Sequence, residues 1–170
     1  NQIYVAAMGS VWGPNEDRGV FKSNDGGQTW QKVLYNNSTT GCAELILDVN
    51  NPNKLIANMY DFQRKPYTYR SGGIGSGLFI SNDGGINWTK LSTKNGLPEG
   101  NLGRIGIAIS LSNPDRVYAL IESKSTALYR SNDGGTNWFK TSQNPNIDWQ
   151  FFLHDAKLTS PISYSVKIQK

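Results

Sequence analysis

One eight-residue pattern, Ser-Asn-Asp-Gly-Gly-x-[Thr/Asn]-Trp, occurs three times: SNDGGQTW at 23–30, SNDGGINW at 81–88 and SNDGGTNW at 131–138. The copies begin 58 and 50 residues apart. Recurrence at such a period marks a repeat protein, in which each unit is one supersecondary element stacked on its neighbours. Short apolar segments flank every copy. GVFKS, GLFIS and ALYRS precede them; TWQKVLY, NWTKLS and NWFKT follow. Asn-Asp-Gly-Gly between two such segments signals a hairpin, because these residues tolerate the positive φ of a tight turn. Within it, Asp25, Asp83 and Asp133 are expected to accept bonds from backbone N–H groups of their own turn. Ser23, Ser81 and Ser131 bond across its base, Gly27, Gly85 and Gly135 give backbone freedom, and Trp30, Trp88 and Trp138 cover it.

A second unit lies upstream of copies two and three. ELILDVNNPNKLIANMY (44–60) aligns with RIGIAISLSNPDRVYALIE (104–122), each reading strand, turn at Asn-Pro-[Asn/Asp], strand. Pro52 and Pro114 suit a turn and would be poor inside a central strand. One repeat is therefore four strands, A to D outward. IYVAAM (3–8) is a B strand without its A strand. Four-stranded antiparallel units at this period predict an all-β fold of β-propeller blades. Residues 1–146 hold one partial and two full blades. Residues 147–170 are a divergent tail, in which Ile162, Tyr164, Val166 and Ile168 alternate with polar residues as in one more strand.

Closed propellers have about four to eight blades. Three blades leave two apolar faces without neighbours. The expected partners are therefore further blades of a longer parent chain or a homo-oligomer, and a start at Asn1 rather than Met reads as a piece of something longer.

Composition agrees with many short strands. Eighteen glycines accompany 37% hydrophobic and 18% charged residues. The net charge of +4 is scattered without a basic run, so nucleic acid is not implied. Cys42 is the only cysteine, which excludes an intrachain disulfide and a cysteine-based zinc site. No apolar stretch reaches the roughly 20 residues of a membrane span. No metal-ligand cluster or cofactor motif is present; GGIGSG at 72–77 lacks the strand-to-helix context of a nucleotide site. Sequons at Asn36, Asn37 and Asn87 carry little weight.

The octapeptide resembles the Asp-box, or bacterial neuraminidase repeat, of sialidases, xyloglucanase-type glycosidases, sortilins and photosystem assembly factors. Longer stretches resemble consecutive blades of large bacterial propeller proteins labelled sortilin-like or glycosyl-hydrolase-like: VAAMGSVWGPNEDRGVFKSNDGGQTW, RKPYTYRSGGIGSGLFISNDGG and NGLPEGNLGRIGIAIS. That resemblance implies an exported protein, whether secreted, periplasmic or on a bacterial cell surface. The hydrolase label is fold-level analogy.

In a propeller the A–B turns and the octapeptide turns share one face, and the B–C and D–A loops share the other. The Asp-box aspartates are thus expected away from a ligand. The long loops at 9–19, 36–44, 60–77 and 92–104 are expected on the ligand face. Binding candidates there are Trp12, Glu16, Arg18, Arg64, Tyr67, Tyr69, Arg70, Glu99 and Arg104. Arginines grip carboxylates and tyrosines stack on a sugar or peptide. The bland alternative has the arginines paired with Glu16, Asp17 or Glu99 and the tyrosines packed between blades. A glycosidase would need two facing carboxyls from Glu16, Asp17, Asp61 and Glu99, and no motif marks such a pair. His154 is the lone histidine, more often a surface or core residue than a catalyst. The leading expectation is a non-catalytic module for a peptide or glycan, with a glycoside hydrolase fragment as the alternative.

Overall fold

The computed structural model describes residues 2–141. His154 and the expected strand at 162–168 lie outside them. The described residues form three antiparallel sheets. The first is β1 (Ile3–Ala7), β2 (Gly19–Ser23) and β3 (Gln31–Leu34). The second is β4 (Thr40–Asp48), β5 (Asn51–Lys65), β6 (Thr68–Ser71), β7 (Gly77–Ser81) and β8 (Thr89–Lys90), with β6 paired only to the far end of β5. The third is β9 (Ile105–Ile109), β10 (Val117–Ile121), β11 (Ala127–Ser131) and β12 (Phe139–Lys140). These are blades B–C–D, A–B–C–D and A–B–C–D, as the repeat predicts. Among the described residues β1 has no inner neighbour.

Register repeats from blade to blade. Val5 faces Phe21, Ala57 faces Phe79 and Ala119 faces Tyr129. Alternation sends one set of side chains to each sheet face. One face of blade 2, with Ala57, Met59 and Phe79, packs on Val20, Leu34 and Tyr4 of blade 1. Its other face, with Ile56, Leu78 and Ile80, packs on Val117, Ala119, Ile121 and Tyr129 of blade 3. Each fully buried aliphatic side chain there contributes about 1.5–3 kcal/mol, so the core is the two junctions between blades.

The turns sort by face as expected. On the octapeptide side, Gly84 N donates to Asn53 O (2.8 Å) and Gly134 N to Asp115 O (2.7 Å), joining each C–D turn to the A–B turn of its own blade. On the opposite side, Gly73 N donates to Leu102 O (3.4 Å) and Asn36 Nδ2 to Gly75 O (2.8 Å).

Four details differ from expectation. The 60–77 segment is not an open loop: β5 continues to Lys65 and returns as β6, a hairpin built on the strand. The 36–44 loop ends early, because β4 begins at Thr40. Asp48 pairs with Asn51, so Pro52 sits at the start of β5 beside a register shift rather than in the turn. Finally, the first half of the 92–104 loop packs against the third octapeptide. Trp138 N donates to Asn95 O (2.7 Å) and Asn95 Nδ2 to Thr136 O (3.1 Å). The two-residue strands β8 and β12 leave the outer edges to such loops, which blunts them against edge pairing.

Candidate functional site

The octapeptide turns are closed hydrogen-bond systems. Asp25 Oδ1 accepts from Gln28 N and Thr29 N (3.0 and 2.9 Å). Asp83 Oδ1 accepts from Ile86 N and Asn87 N (3.0 and 2.9 Å), and Asp133 Oδ1 from Thr136 N and Asn137 N (3.1 and 2.8 Å). Ser23, Ser81 and Ser131 each donate to that aspartate and accept from Gly27, Gly85 and Gly135 N at 2.8–2.9 Å. Trp88 and Trp138 donate Nε1–H to Gly85 O and Gly135 O. All three carboxylates are held below the usual range. Bonds from the Thr29 hydroxyl and backbone act first at Asp25. The Asn87 backbone acts first at Asp83, which falls to about 2. At Asp133 burial pushes upward, and the bonds from Asn137 and its neighbours outweigh it. The aspartates are anchors of their own turns. The sequon amides are also engaged: Asn36 at Gly75 O, Asn87 at Asp83 Oδ2, and Asn37 Oδ1 by Thr39 and Thr40.

On the opposite face, Arg64 and Tyr69 pair directly across the β5–β6 hairpin, so their side chains share one side. The Arg64 guanidinium lies over the Trp12 ring at 5.8 Å, bridging blades 1 and 2. Tyr69 and Ser71 (2.9 Å) hydrogen-bond the hydroxyl of Tyr60, and Tyr60 stacks on Phe62 at 5.2 Å. Phe62 in turn carries the Arg18 guanidinium at 4.7 Å. A ladder of rings and cations thus runs from the core to the rim. At the rim, Trp12 is 63% exposed, Tyr67 at the hairpin tip 84%, and Tyr69 is exposed too.

The other side of the hairpin holds an ion pair. Arg70 Nη2 donates to Asp61 Oδ1 at 2.7 Å, and Thr39 Oγ1 donates to the same oxygen at 2.9 Å. Burial alone would raise the Asp61 pKa, but the bonds from Arg70 and Thr39 and the Arg70 charge prevail, and the net shift is downward. Gly72 and Gly73 lie against Leu102 and Asp61, where a Cβ has no room, so the small residues do let this segment approach its neighbour.

The candidates fall into four groups. Trp12, Arg64 and Tyr69 come together at the rim, and Tyr67 is exposed at the tip of the same hairpin. Arg70 and Glu16 have partners: Arg70 has Asp61 rather than an acid of another loop, and Glu16 accepts from Tyr35 OH at 2.6 Å. Arg104 is exposed and its backbone N–H donates to Glu122 Oε2 (2.8 Å), which also accepts from Ser71 Oγ (2.7 Å), and Glu99 is exposed in the 92–104 segment. Arg18 corrects the expectation. It is 1% exposed, and its Nη groups donate to Ser10 O, Gly13 O and Thr39 O. It ties the 9–19 and 36–44 loops together from a buried position, with its Nε left without a hydrogen-bond partner among the described residues. Sequence reasoning missed Asp61 as the partner of Arg70 and Tyr60 as the support of Tyr69. Both lie in a stretch read as loop, where ring alternates with charge and no apolar–polar pattern marks a strand.

Residues 21–32 and 79–90 match the family model of the BNR/Asp-box repeat. These segments hold the first two octapeptides with their flanking strand residues, and the third copy repeats the same bonds. Fold and repeat together define Asp-box β-propeller blades. No curated protein matches the chain. No helix among the described residues is long and apolar enough to cross a membrane.

Proposed function

We propose that these blades form a non-catalytic binding module of an exported protein, holding a peptide or glycan on the rim of Trp12, Arg64, Tyr67 and Tyr69. The observation that carries this reading is the Trp12–Arg64–Tyr69 row. Tyr69 is fixed by the buried Tyr60 and Trp12 is covered by Arg64, so little conformational entropy is lost when these rings stack on a sugar or an aromatic side chain. Arg64 has no carboxylate partner among the described residues and can take an acidic group. The 1–146 blade unit is the functional domain in this proposal. Export rests on the resemblance to large bacterial propeller proteins.

The hydrolase alternative asks for a carboxyl with a raised pKa as proton donor. Asp61 moves the other way, clamped by Arg70. Arrays of glycans and peptides probed with the chain test the proposal. Trp12→Ala and Tyr67→Ala, both at exposed positions, are each expected to weaken a hit by about tenfold, or about 1.4 kcal/mol. Hits that ignore both changes, or no hits on either array, overturn it.

A further inference from the structure

Tyr69 stands at the rim end of a continuous hydrogen-bond chain that begins in blade 3. Glu122 follows β10, and its backbone is held on both sides: Gly103 N donates to Glu122 O (2.8 Å) and Glu122 N to Arg104 O (3.0 Å). Its side chain lies against Gly103, where a Cβ has no room. Glu122 Oε2 accepts from Arg104 N (2.8 Å) and from Ser71 Oγ (2.7 Å) on β6 of blade 2. Ser71 Oγ lies 2.9 Å from the Tyr60 hydroxyl, and that hydroxyl bonds the hydroxyl of Tyr69. Tyr60 is 4% exposed and Tyr69 48%, so the chain ends at solvent.

These bonds have one direction. At neutral pH a carboxylate accepts only, so Ser71 gives its single proton to Glu122. The Ser71 oxygen can then only accept, and the Tyr60 proton goes to it. Burial pushes the Tyr60 hydroxyl well above its usual range, so that proton stays in place. The Tyr60 oxygen in turn accepts from Tyr69. Turning this last link round would set lone pairs of Ser71 and Tyr60 against each other at 2.9 Å. The Tyr69 proton therefore points inward, and lone pairs face solvent.

Given the rim binding proposed above, on which this step rests, we propose that Tyr69 meets a glycan as an acceptor only, taking the O–H of a sugar hydroxyl, with Glu122, Ser71 and Tyr60 as the positioning residues that fix its polarity. Arg64, its partner across the hairpin, donates only. Together they ask for a donor and an acceptor side by side. Neighbouring hydroxyls of a sugar ring offer that pair, since each can give or take a hydrogen bond. An acidic or aromatic side chain of a peptide answers only Arg64 or only the rings.

Neutron diffraction from crystals of the deuterated free chain locates the protons directly. Deuterons are expected to point from Tyr69 to Tyr60, from Tyr60 to Ser71 and from Ser71 to Glu122. A Tyr69 deuteron facing solvent overturns the proposal. NMR titration then compares the methyl glycosides of glucose, galactose and mannose with their monodeoxy and monofluoro analogues. Fluorine accepts but cannot donate. At the hydroxyl that meets Tyr69, both replacements should weaken binding equally, by roughly fivefold. Tyr60→Phe keeps the ring on Phe62 and frees the Tyr69 proton to turn outward, so there the fluoro analogue should bind roughly threefold better than the deoxy one. Lost packing alone would not separate the two analogues. If the unaltered chain shows no position of equal loss, the proposal is overturned. Failure of the rim reading looks different: no glycoside shifts the signals of Trp12, Arg64 or Tyr69, whichever way the Tyr69 proton points. That outcome, or rim binding by peptides alone, overturns the sugar assignment.

Discussion

At the scale of single residues, the octapeptide serines and aspartates carry stability rather than chemistry. Ser81 and Ser131 are fully buried, each accepting from a glycine N–H and donating to an aspartate. Ser81→Ala strands the buried Gly85 N–H and takes one bond from Asp83, and should lower stability by about 1–3 kcal/mol, read as a drop in Tm. The aspartates also set an acid limit. Their folded-state pKa values lie below the unfolded ones, so their stabilisation is present above the ordinary carboxylate range and is lost as pH falls through the folded values. For Asp83 that window runs from its ordinary 3.8 down to about 2. Melting curves should therefore drop between about pH 4 and pH 2, and Asp83→Asn should lower Tm at neutral pH while making the acid slope shallower. Cys42 gives a third residue-scale test. Burial pushes its thiol up to about 12, so the native chain should resist alkylation at pH 8 and react once unfolded. Rapid native labelling would contradict its placement between blades 1 and 2.

At the scale of elements, the β5–β6 hairpin turns scaffold into site. Asp61 is nearly buried and depends on Arg70, whose side chain is 43% exposed. Arg70→Ala leaves that carboxylate unpaired; solvent access to Arg70 reduces the cost to about 1–3 kcal/mol. The double variant Arg70→Ala with Asp61→Asn should recover part of the loss in a melting experiment, and no recovery would place the instability elsewhere. This element is also where sequence and structure part. GLFIS and Asn-Asp-Gly-Gly announce a strand and a turn locally, so β7, its turn and their equivalents were legible. Tyr60, Phe62 and Arg64 alternate with Asp61, Gln63 and Lys65, one side of the hairpin stacking rings while the other holds the ion pair. Ring alternates with charge rather than apolar with polar, and the run reads as loop. Arg18 was opaque for a related reason. A buried guanidinium whose two Nη groups donate to three backbone carbonyls has no local signal, since those carbonyls come from Ser10, Gly13 and Thr39.

At the scale of the whole molecule, blade stacking separates two faces of different purpose. The octapeptide face is spent on internal bonds: turn to turn within a blade, and Tyr4 and Lys22 to Gly84 between blades. The other face carries the exposed rings of Trp12, Tyr67 and Tyr69, and Arg64, which has no carboxylate partner among the described residues. The repeat that dominates the sequence therefore positions the rim without belonging to it. Heteronuclear NMR of the labelled chain, titrated with a glycan or peptide hit, tests that division most directly. Shift changes concentrated at Trp12, Arg64, Tyr67 and Tyr69 are predicted. Changes concentrated at the turns around Asp25, Asp83 and Asp133, with the rim unmoved, would contradict it.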